Sequence, residues 1–296
     1  MVSGIAAEQE YQMTRLGSPG KISMAQRLYV EVAAVLLSIA AAMASGPPAH
    51  AADDLKLITP GELTVVALAD QPGTSFIDAN GQNQGMAIDL MNAISAKLGV
   101  KPVYRTAAIA GVISAVAANQ YDTAAAGLAA TDERRKSVDF SIPWNYGQLT
   151  VLVRNKLPGN DASALKGKTL GLLTGSVQEV YARANFKETD IKAFQQQPAM
   201  INALLANQVD AVFLGSYDGS TYLARYPELS VGLIAGSDVY NAFPVAKTRP
   251  EFLAALNKVM NELFDDGTWL KIYKKWYATI AVPRQLLEQH PRLAQR

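Results

Sequence analysis

Residues 125–143, AAGLAATDERRKSVDFSIP, decide how the rest of the chain is read. A short apolar run ends at Gly127, a turn of small residues follows, and Thr131 stands where a helix N-cap belongs. Asp132 and Glu133 then fall in the first turn, with Arg134 one residue further in. A strand end that meets a helix start gathers free backbone N–H groups and the positive end of a helix dipole, and a guanidinium fork pairs both oxygens of a carboxylate. Arg134 is therefore the candidate anchor for a small organic acid.

Working outward, the pattern before this stretch is strand, loop, helix, strand. LTVVALA (63–69) reads as a buried strand and DQPGTSFIDANGQNQG (70–85) as a turn-rich loop. Met86 to Leu98 reads as a helix with Ile88, Met91, Ala93, Ile94 and Leu98 on one broad face. KPVYRTA is a second strand, Ile109 to Asn119 a second helix and YDTAAAGL a third strand, the alternation of a parallel α/β sheet. Ligands of such sheets sit at the carboxyl ends of strands, where Asp70, Gly127 and the Arg134 loop fall.

The same logic repeats downstream. LTVLVR and LKGKTLGLL read as strands, TGSVQEVYARAN opens a helix after a Gly-Ser turn, Pro198 to Asn207 is helical, and VDAVFLG is a buried strand ending in glycine. YNAFPVA forms another strand and helices run from Pro250 to Tyr277. The expected architecture is α/β with two lobes, each a mostly parallel sheet flanked by helices, joined by two hinge strands over a cleft. Lobe one is expected at residues 52–147 plus 240–280, lobe two at 148–239, and a polar tail at 281–296.

Composition narrows the function classes. The chain has 296 residues, 49% of them hydrophobic, which suffices for a large buried core. Lysine plus arginine number 27 against 26 acidic residues, so the charge balance offers nothing to nucleic acid or an acidic membrane surface. Cysteine is absent, which removes disulfides, thiolate nucleophiles and cysteine-ligated metals. Histidine occurs only at His50 and His290, too few for a histidine triad or a multi-histidine metal site. No cofactor is expected.

From Met24 the sequence has the three parts of a secretory signal: Arg27, an apolar run from Val32 to Ala44, and Ala49-His50-Ala51 with small residues at the cleavage positions. Residues 1–51 are therefore read as a leader removed on export, with Met24 as its true start. The apolar run is too short to span a bilayer comfortably. Removing residues 1–51 leaves 24 basic and 23 acidic residues, so the mature chain stays nearly neutral.

Five motifs in order, GMAIDLMNAI, AAGLAATDERRKSVDFSIPW, LKGKTLGLLTGSV, ANQVDAVFLG and FDDGTWLKIYKKW, give the chain from Glu62 to Tyr277 a resemblance to a known family. It resembles the extracytoplasmic solute-binding proteins of family 3, the periplasmic components of polar amino-acid ABC importers, with the periplasmic binding protein type 2 fold. The resemblance implies a periplasmic monomer that captures a small carboxylate-bearing solute and presents it to an inner-membrane permease. It implies that Arg134 binds the carboxylate, assisted by the backbone around Gly127 and Ala129 and by the helix start at Gly175, Ser176 and Val177. A serine before a helix is also its N-cap, which is compatible with that role.

The departures bear on the ligand. The hydroxyl residue that in the family helps hold an α-ammonium corresponds to Ala129, the aspartate that balances its charge to Gly215, and an aromatic that stacks on the side chain to Gly73. A buried ammonium without a counter-charge costs several kcal/mol. Asp70, ending the first strand, and Asp218, three residues beyond Gly215, are the candidate replacements; the plain alternative makes both turn or capping aspartates. Trp144 and Tyr146 either pack the hinge or wall the cleft, and Gln178 is an exposed helix glutamine or a cleft residue. Two further functional readings stay open: a cyclohexadienyl-dehydratase-like enzyme with Asp218 as general acid, and a non-transport partner or sensor protein.

Overall fold

The computed structural model describes residues 55–295; the leader read over residues 1–51, with its start at Met24, lies outside them. In chain order, β1 (Glu62–Ala67) buries Leu63, Val65, Val66 and Ala67. Burial on both faces is what a parallel strand covered by helices requires. The stretch expected as a loop folds instead as a small antiparallel meander of β2 (Asp70–Gln71), β3 (Ser75–Ile77) and β4 (Asn83–Gln84). Strands of two or three residues are too short for apolar alternation to show in the sequence.

Helix α1 (Met86–Leu98) follows, with Met86, Ile88, Leu90, Met91 and Ile94 buried, and ends at Gly99 in the left-handed conformation (φ 70°). Next come β5 (Lys101–Thr106), α2 (Ile109–Ala117) and β6 (Thr123–Ala125); β5 and β6 flank β1, both parallel to it. The quoted stretch then makes α3 (Asp132–Arg135), a single turn, and β7 (Val138–Phe140).

The second sheet is mixed. Its elements are β8 (Asn145–Val153), β9 (Thr169–Leu173), α4 (Val177–Asn185), β10 (Asp190–Phe194), α5 (Gln197–Leu205), β11 (Ala211–Gly215), α6 (Ser216–Arg225) and β12 (Ser230–Asn241). The order is β10-β9-β11-β8-β12, with β9, β10 and β11 parallel and β8 and β12 antiparallel to their neighbours. Strand β10 escapes the sequence reading because it is an edge strand, with Lys192 and Ala193 exposed.

β8 and β12 pair along their whole length, from Ser230↔Val153 in the second sheet to Asn241↔Asn145 beside the first lobe. Three register shifts interrupt the pairing between Val231 and Val239, and such irregularities bend a strand locally. This ribbon is the crossing between lobes. At its lobe-one end Trp144 is fully buried, stacks on Phe243, and its carbonyl accepts a hydrogen bond from Trp269 Nε1 at 2.9 Å.

The chain returns to lobe one through β13 (Pro244–Ala246), antiparallel to β7, and closes with α7 (Pro250–Asp266), α8 (Thr268–Trp276) and α9 (Arg284–Gln289). The segment expected as a polar tail at 281–296 is thus, over its described residues 281–295, docked structure. Leu286 and Leu293 are buried in the lobe-one core, and His290 stacks on Phe264 with ring centroids 3.8 Å apart. Leu286, Leu287 and Leu293 among polar and charged residues carry little periodicity, yet each fully buried leucine contributes about 1.5–3 kcal/mol of transfer free energy. Among the described residues no helix is long and apolar enough to cross a membrane.

Candidate ligand-binding cleft

The cleft between the sheets holds about 690 Å³ of space outside atoms, its open mouth included. Arg134, Gly127, Ala129, Ser176, Val177, Gly215 and Asp218 all border it. Asp70 does not: its Oδ2 accepts the backbone N–H of Gln197 at 3.0 Å, so it caps the start of α5 from the opposite lobe. Burial raises the Asp70 carboxyl above its ordinary value.

Thr131 caps the single turn α3 by accepting the Arg134 N–H at 3.3 Å. Four helical residues carry little macrodipole, and the Gly127 N–H is taken by Gln71 Oε1 at 3.0 Å. The anion-binding capacity of this edge therefore rests on the guanidinium. Arg134 donates from one terminal nitrogen to the Ala129 carbonyl at 2.9 Å and from the other to the Gly175 carbonyl of the opposite lobe at 3.3 Å. Among the described residues it forms no ion pair, and burial pulls its pKa down to about 10. A guanidinium has five N–H donors, so it keeps capacity for an incoming carboxylate.

Ala129 lies opposite Asn241 of the hinge ribbon, in a bridge whose hydrogen bonds run from Ala130 N–H to Tyr240 and from Ala242 N–H to Leu128. Its own backbone is the non-hydrogen-bonded member of that pair. Across the cleft, Ser176 caps α4: its hydroxyl accepts the Glu179 N–H at 3.2 Å and donates to the Leu173 carbonyl at 2.7 Å. The Ser176 side chain is thus spent on the fold. The helix start still offers the first-turn N–H groups of Val177 and Gln178, which have no acceptor within the helix.

Asp218 is the buried carboxylate of the cleft. Its Oδ1 accepts from Thr74 Oγ1 and its Oδ2 from Gln197 Nε2, both at 2.9 Å. Burial raises its pKa to about 6, with Asp70 adding in the same direction and the two hydrogen bonds opposing. It sits in the first turn of α6 but bonds none of that helix's N–H groups, so capping is not its role.

Gln71, Thr74, Gln197 and Tyr217 also border the cleft and were not apparent in the sequence. Tyr217 supplies an aromatic wall. A side chain at Gly73 would be strained, since φ is +82° and a Cβ would stand 2.9 Å from Thr221 Oγ1. Tyr217 in turn packs on Tyr277, with centroids 4.5 Å apart, and its hydroxyl meets that of Tyr273 at 3.1 Å. Tyr146 packs on Tyr240 and accepts from Gln289, so it belongs to the hinge, whereas Gln178 borders the cleft. Among the described residues no group of three His, Cys, Asp or Glu side chains could hold a metal ion.

The lobes meet closely at Gly175, whose φ is +75° and where a Cβ would stand 2.8 Å from Ala110 Cα in lobe one. Gly175→Ala is therefore expected to hold the lobes apart. Ligand affinity should fall about tenfold, the low end of an overpacking penalty of about 1–3 kcal/mol. Titration calorimetry reads the affinity, and small-angle scattering of the liganded protein reads the wider spacing.

Comparison with known proteins agrees with this geometry. A family model described as bacterial extracellular solute-binding proteins, family 3, matches residues 63–279. The chain is 28% identical over 211 residues to the lysine/arginine/ornithine-binding periplasmic protein of Escherichia coli (strain K12), covering 68% of this chain and 81% of that one. An ancestral arginine-binding protein bound to arginine superposes with a TM-score of 0.71 at 32% identity, covering 73% of this chain and 98% of that one. The substrate-binding protein of an amino acid ABC transporter superposes at 0.69 and 29% identity, covering 74% and 100%. Two α/β lobes, one built on a parallel sheet and one on a mixed sheet, around a cleft are the type 2 periplasmic binding protein fold. The chain belongs to the bacterial extracellular solute-binding proteins of family 3.

Proposed function

We propose that this chain is the periplasmic solute-binding component of an ABC importer, a monomer that captures a small carboxylate-bearing solute between its lobes and delivers it to an inner-membrane permease. The observation that carries the reading is Arg134: a guanidinium in the cleft bonded to two backbone carbonyls and, among the described residues, in no ion pair. A half-buried guanidinium in that state has donors to spare for an anion from outside. The start of α4, at Ser176, Val177 and Gln178, borders the same cleft. Contacts across it, from Arg134 to Gly175, Asp70 to Gln197 and Thr74 to Asp218, supply the closed form that a bound solute would stabilise.

A thermal-shift screen of amino acids, opines, keto acids and dicarboxylates tests the reading. At 100 times its Kd a true ligand adds about 2.7 kcal/mol. For a domain of this size that raises Tm by about 5–10 °C. Flat melting across all four groups favours the partner or sensor alternative. The observation favouring a dehydratase is the buried Asp218 carboxyl, held up at about 6 and so able to donate a proton. The relatives named above are binding proteins, and incubation with prephenate or arogenate is expected to yield no aromatic product.

A further inference from the structure

We infer that Tyr217 is a two-position latch on the interlobe hinge, its hydroxyl donating to Tyr273 when the lobes are closed and to Asn145 when they part. Through the closed fraction it is a positioning residue for the solute, and only that consequence rests on the binding function proposed above.

The bend in the hinge comes first. Between the pairs Leu149↔Gly236 and Gly147↔Val239, β12 sets residues 237 and 238 opposite the single residue Gln148. A bulge of this kind interrupts the ladder and bends the strand. The Gln148 N–H donates to Ser216 Oγ at 3.1 Å, so the first residue of α6 is fastened at the bend.

Tyr217, the next residue, crosses from lobe two into lobe one. It belongs to α6, yet it is buried within the lobe-one core, packed on Tyr277 and edge-on to Tyr273. Tyr273 donates its own proton to the Ala281 carbonyl at 2.9 Å, so Tyr217 is the donor in the 3.1 Å contact between the two hydroxyls. Burial pushes the Tyr217 phenol up, Tyr273 and Tyr277 add to the rise, and the Asn145 amide opposes it. The hydroxyl therefore keeps its proton, and a buried donor needs an acceptor in every position it takes.

Asn145 is the acceptor held in reserve. Its side chain is fully buried at the start of β8, and neither Oδ1 nor Nδ2 has a hydrogen-bond partner among the described residues. An amide in that state costs free energy, which a second arrangement that uses it would offset. Gly147 is two residues on and so on the same face of β8, and it lies against the Tyr217 ring: a Cβ there would stand 3.3 Å from Cδ2 and Cε2. The ring thus runs along that face, with Asn145 toward its hydroxyl end. As α6 swings with lobe two about Gln148, its distance from α8 of lobe one grows. Asn145, close to the bend, stays within reach.

The chain has no cysteine, so Ser114→Cys on lobe one and Ala184→Cys on lobe two, both exposed, take spin labels at those two points alone. Pulsed electron paramagnetic resonance then reads closed and open distances without solute. Tyr273→Phe, which removes the acceptor of the closed form, is expected to shift the closed-to-open ratio about fivefold toward open. Asn145→Leu, which removes the acceptor of the open form, should shift it about fivefold toward closed. In a Tyr217→Phe background neither change should move the ratio by more than about twofold, a coupling through the hydroxyl that merely structural side chains would not show. Circular dichroism establishes that each variant folds; should Asn145→Leu fail, Asn145→Ala serves in its place. Titration calorimetry with the best solute of the thermal screen should find affinity weakened in step with the lost closed fraction. An equal ratio in the parent, Tyr273→Phe and Asn145→Leu overturns the latch, as do two shifts of one sign or shifts that persist in the Tyr217→Phe background. A protein that shows the expected shifts and binds no solute keeps the latch and overturns the binding function; one that binds solute and shows none of the shifts does the reverse.

Discussion

Arg134→Ala is expected to lower affinity for the tightest carboxylate found in the thermal screen by at least about 30-fold, because losing one partner of a buried charge pair costs about 2–5 kcal/mol. Unfolding free energy of the empty protein should change by about 1 kcal/mol or less, since the side chain makes only two hydrogen bonds, both to carbonyls. Its removal also relieves a desolvated charge, the condition that pulls its pKa down. Arg134→Lys should fall between, keeping the charge and losing the fork that matches two carboxylate oxygens. Calorimetric titration beside urea unfolding separates binding from folding, and affinity kept within about twofold of the parent would sink the assignment of Arg134 as anchor.

The largest expected effect on stability lies at the start of β6, the strand whose far end leads into the cleft. Asp122 is fully buried just before β6, and its carboxylate accepts from the Ile58 N–H at 2.9 Å, the Thr64 N–H at 2.8 Å, the Thr64 hydroxyl and the Arg249 guanidinium. One side chain thereby ties the segment before β1, β1 itself and the start of α7. Asp122→Ala leaves Arg249 nearly buried and unpaired, and breaking a buried pair in this way costs about 3–5 kcal/mol. For a domain of this size the Tm should drop by about 6–20 °C. Asp122→Asn should lose less, since it still accepts one or two of these bonds. Ligand affinity of either folded variant should match the parent, because the cleft lies at the opposite end of β6. A melting point unchanged to within about 2 °C would show that these contacts contribute little.

Much of the fold was legible because it follows rules that act over a few residues. The apolar face of α1 marks its period, and Gly99 marks its end. Thr131 and Ser176 are helix caps because a hydroxyl three residues before a helical N–H is in reach of it. The motif around Arg134 marked the cleft for the same reason, a strand end running straight into a helix start. The meander β2–β4, the edge strand β10 and the docked segment containing Leu286 were hidden because short, exposed or sparsely apolar segments carry no period.

The site was legible by half. Of two candidate aspartates, the structure gives Asp70 to a helix start and Asp218 to the cleft, and nothing local separates them. Asp218 is what it is because of Thr74, 144 residues away, and Gln197, 21 residues away. Gln71 likewise matters through Gly127, 56 residues away, and Tyr217 through Tyr273 and Tyr277 of the last long helix and its end. Sequence alone determined the alternation of elements, the caps and the placing of an arginine at a strand end, since each depends on neighbours along the chain. Only the tertiary structure decided which acid faces that arginine's cleft and which polar groups are left unpaired there, because burial and hydrogen-bond satisfaction belong to residues that meet only when both lobes are folded and closed.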